Sequence, residues 1–243
     1  MKYIYDGRIR FSEVDENRNM TIYSWLNYLQ DCATFHGEDI GLGISHNREI
    51  GCAWVIADLQ LHMFRNVCIN EEIRVNTWAD KFRGVIGHRC FSVEDKDGNI
   101  VGLANSNWVF MDMVKQVPVR VPDDQIEAYG SHPEWKIQED LGKRKIRMPE
   151  GGEMRKPFYI LESHLDTNMH MNNAQYVRLA GKYLPGGLTV SHLRCEWVRQ
   201  ARLGDRITPR VTEADGKWYV EFLTDEGEPY FMSEFTPVEQ TTA

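Results

Sequence analysis

Long apolar runs and paired cysteines are both missing from this chain of 243 residues. No segment approaches the roughly 20 apolar residues that cross a bilayer. The start, MKYIYDGRIRFSEVDENRNM, has neither an apolar core nor a small-residue cleavage site. The five cysteines are scattered and form no CxxC pair or zinc-ligand spacing. We therefore expect a cytoplasmic protein with reduced thiols, no secretory signal and no membrane insertion.

An excess of basic charge is also missing. The net charge of −8 argues against general nucleic-acid binding. Residues 178–206 differ from this background, because Glu196 and Asp205 are their only acids. The basic residues of this segment are Arg178, Lys182, Arg194, Arg199, Arg202 and Arg206. The cluster is either a solvated surface or a local docking patch for an acidic partner.

One segment, HLDTNMHMNNAQYVRLA, is dense in polar side chains. Alternate positions place Asp166, Asn168 and His170 on one face of an extended or turning segment. Asn172 or Asn173 can cap the helix that the following apolar spacing predicts. A carboxylate, an amide and an imidazole would then converge beside a helix N-terminus. The alternatives are an Asx-turn, a helix cap and a partly buried structural histidine.

The chain repeats this pattern. DENRNMTIYSWLNYL aligns with DTNMHMNNAQYVRLA, and FRNVCINEEIRV aligns with VRQARLGDRITP. The aligned pairs are Asp15–Asp166, Asn17–Asn168, Met20–Met171, Trp25–Tyr176, Arg65–Arg199 and Glu71–Asp205. Further on, VEDKDGNI and FLTDEGEPY both predict hairpin turns between strands. Each half is therefore predicted to contain a strand, a helix and several antiparallel strands.

The first half has the clearest periodicity. A stripe that includes Trp25, Leu26 and Leu29 predicts a helix near residues 20–38, and four alternating segments after it predict strands. We predict an α+β chain of two tandem hotdog halves, each a long helix wrapped by a curled antiparallel sheet. The predicted boundaries are an N-terminal half at 1–130, a polar linker at 131–154 and a C-terminal half at 155–243.

Three stretches resemble the acyl-[acyl-carrier-protein] thioesterases, both bacterial and plant plastid. MTIYSWLNYLQDCATFHGEDIG resembles their first-half helix, and WVIADLQLHMFRNVCINEEIRVNTWAD resembles the strand pair after it. LDTNMHMNNAQYV resembles their Asp-x-Asn-x-His-x-Asn-Asn signature, and the whole resemblance runs from about residue 5 to 235. It implies a double-hotdog fold and hydrolysis of fatty acyl thioesters on acyl carrier protein, an acidic partner. It implies no metal or organic cofactor, and we expect a monomer or homodimer.

The resemblance also assigns site residues. Asp166, Asn168 and His170 fall on the family's catalytic positions. Plant members carry a further acid in a Glu-Tyr-Arg-Arg-Glu-Cys pattern, where this chain has Gln200 at the catalytic glutamate and Ala201 at the cysteine. A Cys–His nucleophile is thereby excluded at this site. Gln200 can form hydrogen bonds but cannot take a proton at neutral pH. We expect catalytic roles for all four polar residues, and no cofactor or metal site.

Thioester hydrolysis needs an activated water and donors for the developing oxyanion. We expect Asp166 and His170 to form an acid–base pair, and either one can be the group that activates water. Asn168 and N–H groups at the helix start would polarise the carbonyl, and Gln200 would position water or substrate. In the first half Asn19 replaces His170. That half is therefore predicted to be inert and to line an acyl-chain pocket, while the second half is catalytic.

Three other functions are compatible with parts of this sequence. A hotdog hydrolase acting on acyl-CoA would use the same chemistry. It would differ only in the group that carries the acyl chain, and the basic cluster favours acidic carrier protein over coenzyme A as that group. A hotdog dehydratase typically places its Asp and His further apart with a proline between them, unlike Asp166 and His170. A catalytically weak acyl-binding protein is favoured only by Gln200. A hydrolysis assay with both handles separates these functions.

Overall fold

The computed structural model describes residues 2–137, 139, 141 and 145–238. The chain divides into two compact units, Met1–Leu141 and Gly142–Ala243. This division falls within the predicted linker 131–154, of which residues 138, 140 and 142–144 lie outside the described residues. The last five residues of the predicted C-terminal half, 239–243, also lie outside them. The linker stays a prediction. Its described ends are bonded within their own units: Ser131 bonds to Asp80, and Glu153 and Met154 pair with Val211 and Arg210.

The first unit is an antiparallel sheet with one long helix. Its elements are β1 (Tyr3–Arg8), α1 (Ile22–Asp39), α2 (Ile44–Ile50), β2 (Cys52–Met63), β3 (Glu72–Arg83), β4 (Ile86–Asp95), β5 (Ile100–Asp112), β6 (Val117–Pro118) and α3 (Asp123–Tyr129). The strand order is β1-β3-β4-β5-β2, and β6 pairs with β5. Short 3-10 helices lie at Phe11–Glu13 and Pro133–Trp135.

Local chemistry sets the limits of α1. The Thr21 hydroxyl accepts a hydrogen bond from the Ser24 N–H at 3.1 Å, so the helix begins just after this cap. Gly41, with φ of 79°, turns the chain after the last helical residue. Trp25 and Leu29 are buried on one stripe of the helix, as the apolar spacing predicts. The helix prediction is therefore confirmed with a shift of two residues at its start.

The second unit repeats this plan with a shorter helix. Its elements are β7 (Glu153–Met154), β8 (Phe158–Tyr159), α4 (Asn173–Gly181), β9 (Val190–Trp197), β10 (Arg206–Ala214), β11 (Lys217–Leu223) and β12 (Pro229–Pro237), with a 3-10 helix at Glu162–His164. The order is β9-β12-β11-β10-β7, β8 pairs with β10, and every pairing is antiparallel. Helix α4 has 9 residues against 18 in α1. Pro185 follows closely and cannot continue a helix.

Each sheet packs one face against its own helix. Tyr176 of α4 contacts Phe222 of β11 and Phe231 of β12 with ring centroids 6.4 and 5.3 Å apart. In the first unit a Cβ on Gly102 of β5 would lie 2.7 Å from the Trp25 ring, so glycine allows this close packing. Helix against antiparallel sheet is an α+β architecture, which confirms the predicted class. No helix within the described ranges is long and apolar enough to cross a membrane.

Candidate active site

The segment with the Asp-x-Asn-x-His pattern is a tight loop directly before α4. The Asp166 N–H donates to the His170 carbonyl at 2.8 Å, and the Met169 N–H donates back to the Asp166 carbonyl at 3.1 Å. Met169 takes a φ of 59°, a left-handed conformation that is uncommon for residues other than glycine. Leu165 and Met171 form a bridge that closes the loop. The three predicted site residues therefore lie within one hydrogen-bonded turn.

Asp166 uses its carboxylate to hold this loop. Its Oδ1 accepts the Asn168 N–H at 2.8 Å and the His170 N–H at 3.4 Å. This is the Asx-turn interpretation of the motif. Within the described part of the chain, the Asp166 carboxylate makes no hydrogen bond to the His170 ring. Asp166 therefore acts on the imidazole through its charge and by shaping the backbone.

His170 has the properties of a neutral base. The residue is half-buried, and its Nδ1 is a buried atom without a hydrogen-bond partner among the described residues. Burial lowers the pKa of His170 below its usual value, the Arg202 charge lowers it further, and Asp166 acts in the opposite direction. The imidazole is therefore uncharged at neutral pH and can accept a proton.

Asn168 and Gln200 are both exposed, so their amides are open to solvent. Gln200 comes beside the loop through its neighbours in the chain. The Met171 N–H donates to the Ala201 carbonyl at 2.8 Å, and His170 pairs with Arg202 as an isolated bridge. The structure thus brings the segment 200–202 next to the loop. The catalytic roles of all four residues stay predictions.

Tyr176 is a residue of this site whose contact sequence reasoning missed. Its hydroxyl oxygen accepts a hydrogen bond from the Ala201 N–H at 2.8 Å. The side chain is 1% exposed, and burial raises the pKa of its hydroxyl. Tyr176 therefore fixes the segment 200–202 to α4. The sequence held one signal for this contact. Tyr176 aligns with Trp25 in the repeat, so a hydroxyl is present at this position only in the second half.

The start of α4 offers fewer free donors than expected. Asn172 is the N-cap, and its side chain accepts the Ala174 N–H at 2.9 Å. The Gln175 N–H donates to the Asn172 carbonyl at 2.9 Å. The capping prediction is confirmed for Asn172, and Asn173 is the first helical residue. These bonds leave the Asn173 N–H as the remaining candidate oxyanion donor at this helix start.

The predicted basic cluster is smaller in the structure. Arg194 forms an ion pair with Glu234, its cross-strand neighbour on β12, and Arg206 pairs with Asp225. The Arg194 charge is largely buried in its pair, so its inclusion in a docking patch was wrong, whereas the Arg206 pair lies at the surface. The cluster's exposed members are Arg178, Lys182, Arg199, Arg202 and Arg206.

Comparisons with known proteins agree with this architecture. A family model described as "Acyl-ACP thioesterase N-terminal domain" matches residues 2–129. A chloroplastic acyl-[acyl-carrier-protein] hydrolase of Cuphea viscosissima is 28% identical over 180 residues, covering 70% of this chain and 44% of that protein. A chloroplastic oleoyl-acyl carrier protein thioesterase of Arabidopsis thaliana is 22% identical over 235 residues, covering 89% and 64%. The chain spans roughly half the length of the curated relatives it matches.

Two solved structures share the fold. The 12:0-ACP thioesterase from Umbellularia californica superposes with a TM-score of 0.86 at 18% identity, covering 98% of both chains. An acyl-ACP thioesterase from Bacteroides thetaiotaomicron superposes with a TM-score of 0.79 at 22% identity, covering 97% of both. The fold is therefore the predicted α+β fold of two tandem hotdog units. The family match covers more than half of the chain, and the chain belongs to the acyl-ACP thioesterase family.

Proposed function

We propose that this protein hydrolyses fatty acyl-[acyl-carrier-protein] thioesters and releases the free fatty acid, which ends chain elongation. The observation that carries the proposal is the His170 imidazole, half-buried in the Asp-x-Asn-x-His loop, where burial lowers its pKa. Family membership and the activities for which the similar plant proteins are named support the same reaction.

His170 is the proposed general base. In the tautomer that carries its proton on Nδ1, the ring accepts a proton from water at Nε2 as the water oxygen attacks the thioester carbon. The Asn168 amide donates to the carbonyl oxygen as it becomes negative, and the Asn173 N–H is a second donor. The C–S bond then breaks, and the imidazolium returns the proton to the leaving sulfur. Asp166 shapes the loop and stabilises the imidazolium through its charge.

The test is a hydrolysis assay with one acyl chain on two handles, acyl carrier protein and coenzyme A. We expect release of free acid, with a higher kcat/KM for the carrier-protein substrate. A higher value for acyl-CoA would make the protein an acyl-CoA thioesterase. Binding of both substrates without turnover would make it an acyl-binding protein.

The carrier-protein handle is proposed to contact the exposed cations beside the loop. Acyl carrier protein is acidic, so opposite charges would speed association, and added salt would screen them. We expect Arg199→Glu to raise KM more than it lowers kcat. Arg120→Glu changes an exposed cation of the first unit and is the matched control. Kinetics that ignore both salt and the Arg199 change would contradict this contact.

The acyl-chain pocket in the first unit also stays a proposal. Trp25 and Leu29 of α1 are buried, and Trp54 of β2 packs on Phe82 and Phe110 with ring centroids 6.1 and 5.0 Å apart. Large side chains limit the space available to a chain, so Trp54→Ala should favour longer acyl groups. Gas chromatography of the released acids measures this preference, and an unchanged profile would contradict the pocket.

Location and assembly are proposals of the same kind. We expect a cytoplasmic protein, and all five cysteines are free thiols, as a reducing compartment would require. We expect a monomer or homodimer. Cell fractionation and light scattering test these two statements.

A further inference from the structure

The first unit holds a second cluster of chemically reactive side chains, on the sheet face opposite α1. Arg89 of β4 contacts His36 of α1 at 3.2 Å, so it points toward the helix. Side chains alternate along a strand, and therefore the adjacent His88 and Cys90 point to the other face. Beside the buried Trp78 ring, this face buries an imidazole and a thiol, which are 5% and 1% exposed.

Asp80 joins these two side chains from the neighbouring strand. The register of β3 and β4 shifts between Ala79 and Lys81, so Asp80 is the extra residue of a bulge. Its carboxylate is 2% exposed and contacts the His88 Nδ1. The Cys90 Sγ lies 3.9 Å from the same nitrogen. One oxygen, one nitrogen and one sulfur atom therefore lie within 4.8 Å of one another.

A candidate for a fourth donor comes from β5. Asn105 is the direct register partner of Cys90, so both side chains are on the same sheet face. The Asn105 Oδ1 is buried and has no hydrogen-bond partner among the described residues. A buried acceptor without a partner costs about 1–3 kcal/mol. The contacts among Asp80, His88 and Cys90 account for those three side chains, but they leave the Asn105 oxygen unexplained.

We propose that Asp80, His88 and Cys90 bind a divalent transition-metal ion of the zinc class, with the Asn105 Oδ1 as a fourth ligand. Thiolate and imidazole ligands select zinc-like ions, whereas calcium and magnesium prefer oxygen ligands alone. A thiolate and a carboxylate together balance the charge of a divalent ion. Four protein ligands make a closed site, which is typical of structural zinc.

The surroundings of the cluster indicate what the ion would do. The Ser131 hydroxyl donates to the Asp80 carbonyl at 3.1 Å, and the His132 N–H donates to the Ala79 carbonyl at 3.0 Å. These bonds place the segment after α3 on the bulge. An ion held by the three strands would fix the bulge to β4 and β5. The proposal replaces the expectation of a metal-free protein and does not depend on the proposed hydrolysis.

The experiment measures metal in protein expressed with added Zn²⁺ or Co²⁺, because the buried site should load during folding. We expect about one ion per chain by mass spectrometry of the metal. Co²⁺-loaded protein should show a thiolate-to-cobalt charge-transfer band. Cys90→Ala should remove that band and lower the metal content about tenfold or more. Cys68→Ser, which changes an exposed thiol, is the matched control and should keep both.

A variant that fails to fold does not prevent the test, because wild-type protein alone supplies two readouts. Metal removal by a chelator should lower Tm, and Zn²⁺ should restore it. The proposal is overturned if wild-type protein expressed with Zn²⁺ and wild-type protein expressed with Co²⁺ both carry far less than the expected metal ion per chain. It is also overturned if its Co²⁺ form lacks the thiolate band.

Discussion

The loops before α1 and α4 have the same backbone and different chemistry. In the first loop, the Asp15 Oδ1 accepts the Asn17 and Asn19 N–H groups, both at 2.9 Å. Asp15 N–H donates to the Asn19 carbonyl at 2.9 Å, and Arg18 has a φ of 67°. Each of these features has its counterpart in the Asp166 loop. The carboxylate and the left-handed residue therefore belong to the architecture that both units share.

For the proposed chemistry, the two loops differ at one position within the loop and at the residue that forms a bridge with that position. Asn19 stands where the second loop has His170, and its Oδ1 lies 3.5 Å from the Cys68 Sγ. Cys68 occupies the position of Arg202 in the repeat. An amide has no proton-accepting nitrogen at neutral pH, whereas an imidazole has one. The comparison teaches that most of this motif is structural, since its backbone bonds recur in both units, and that the proposed chemistry depends on one position.

The largest effect is expected when the second loop is converted into the first. His170→Asn should lower kcat by about a hundredfold to ten-thousandfold, because it removes the proposed base. The backbone bonds of the loop remain, so Tm should change little. Asn19→His is the reciprocal change and should leave kcat unaltered. Near-native kcat in His170→Asn would disprove the assignment of the base.

The next prediction separates the structural and catalytic parts of the aspartate. Asp15→Ala and Asp166→Ala each remove the acceptor of two loop N–H groups, so each should lower the free energy of unfolding by about 1 kcal/mol. Only Asp166→Ala should also lower kcat, since only that loop carries the base. Chemical denaturation and steady-state kinetics on both variants measure the two effects. Equal loss of kcat in both would show that the aspartate acts only through stability.

Much of this fold is predictable because the sequence patterns act locally. The apolar stripe and the hairpin glycines both act within a few residues. Gly98 and Gly227 take φ of 81° and 84° at the predicted bends. Helix α4 is shorter than α1, and the proline and glycines that follow it closely are a local signal of the same kind. The loop was found from its dense polar side chains, and its spacing recurs in both halves.

Other features of the site depend on distant residues and were not visible in the sequence. Arg194 is a member of the basic cluster by position, but strand pairing places it against Glu234, 40 residues away. Burial alone would raise the pKa of Glu234, but its bonds to Arg194 and Lys217 outweigh burial and lower it. The Tyr176 bond to the Ala201 N–H likewise requires helix α4 and the segment after β9 to meet. Sequence patterns cannot predict such contacts until the register is known.

The pH dependence of kcat tests what the Arg202 charge contributes at the position where the first unit has Cys68. The proposed base, His170, can accept a proton only when it is unprotonated, so kcat should fall as pH decreases through its pKa. The Arg202 charge lowers that pKa. Arg202→Gln should therefore raise the pKa and move the acid limb of the profile to higher pH. Arg199→Gln removes a neighbouring exposed cation and should leave the limb in place. An unmoved limb in Arg202→Gln would exclude this electrostatic effect.

The smallest effect is expected at Gln200, where both units carry an amide, since Asn66 aligns with it. Gln200 is exposed, so Gln200→Ala should lower kcat by about tenfold or less, the worth of one hydrogen bond. Asn66→Ala should have no effect on kcat. Gln200→Glu adds an exposed carboxylate that is ionised at neutral pH. Its negative charge favours protonated His170, so activity should persist while the acid limb moves to higher pH. If Gln200→Ala loses as much kcat as His170→Asn, the amide is part of the catalytic machinery and the similarity of the two units at this position is misleading.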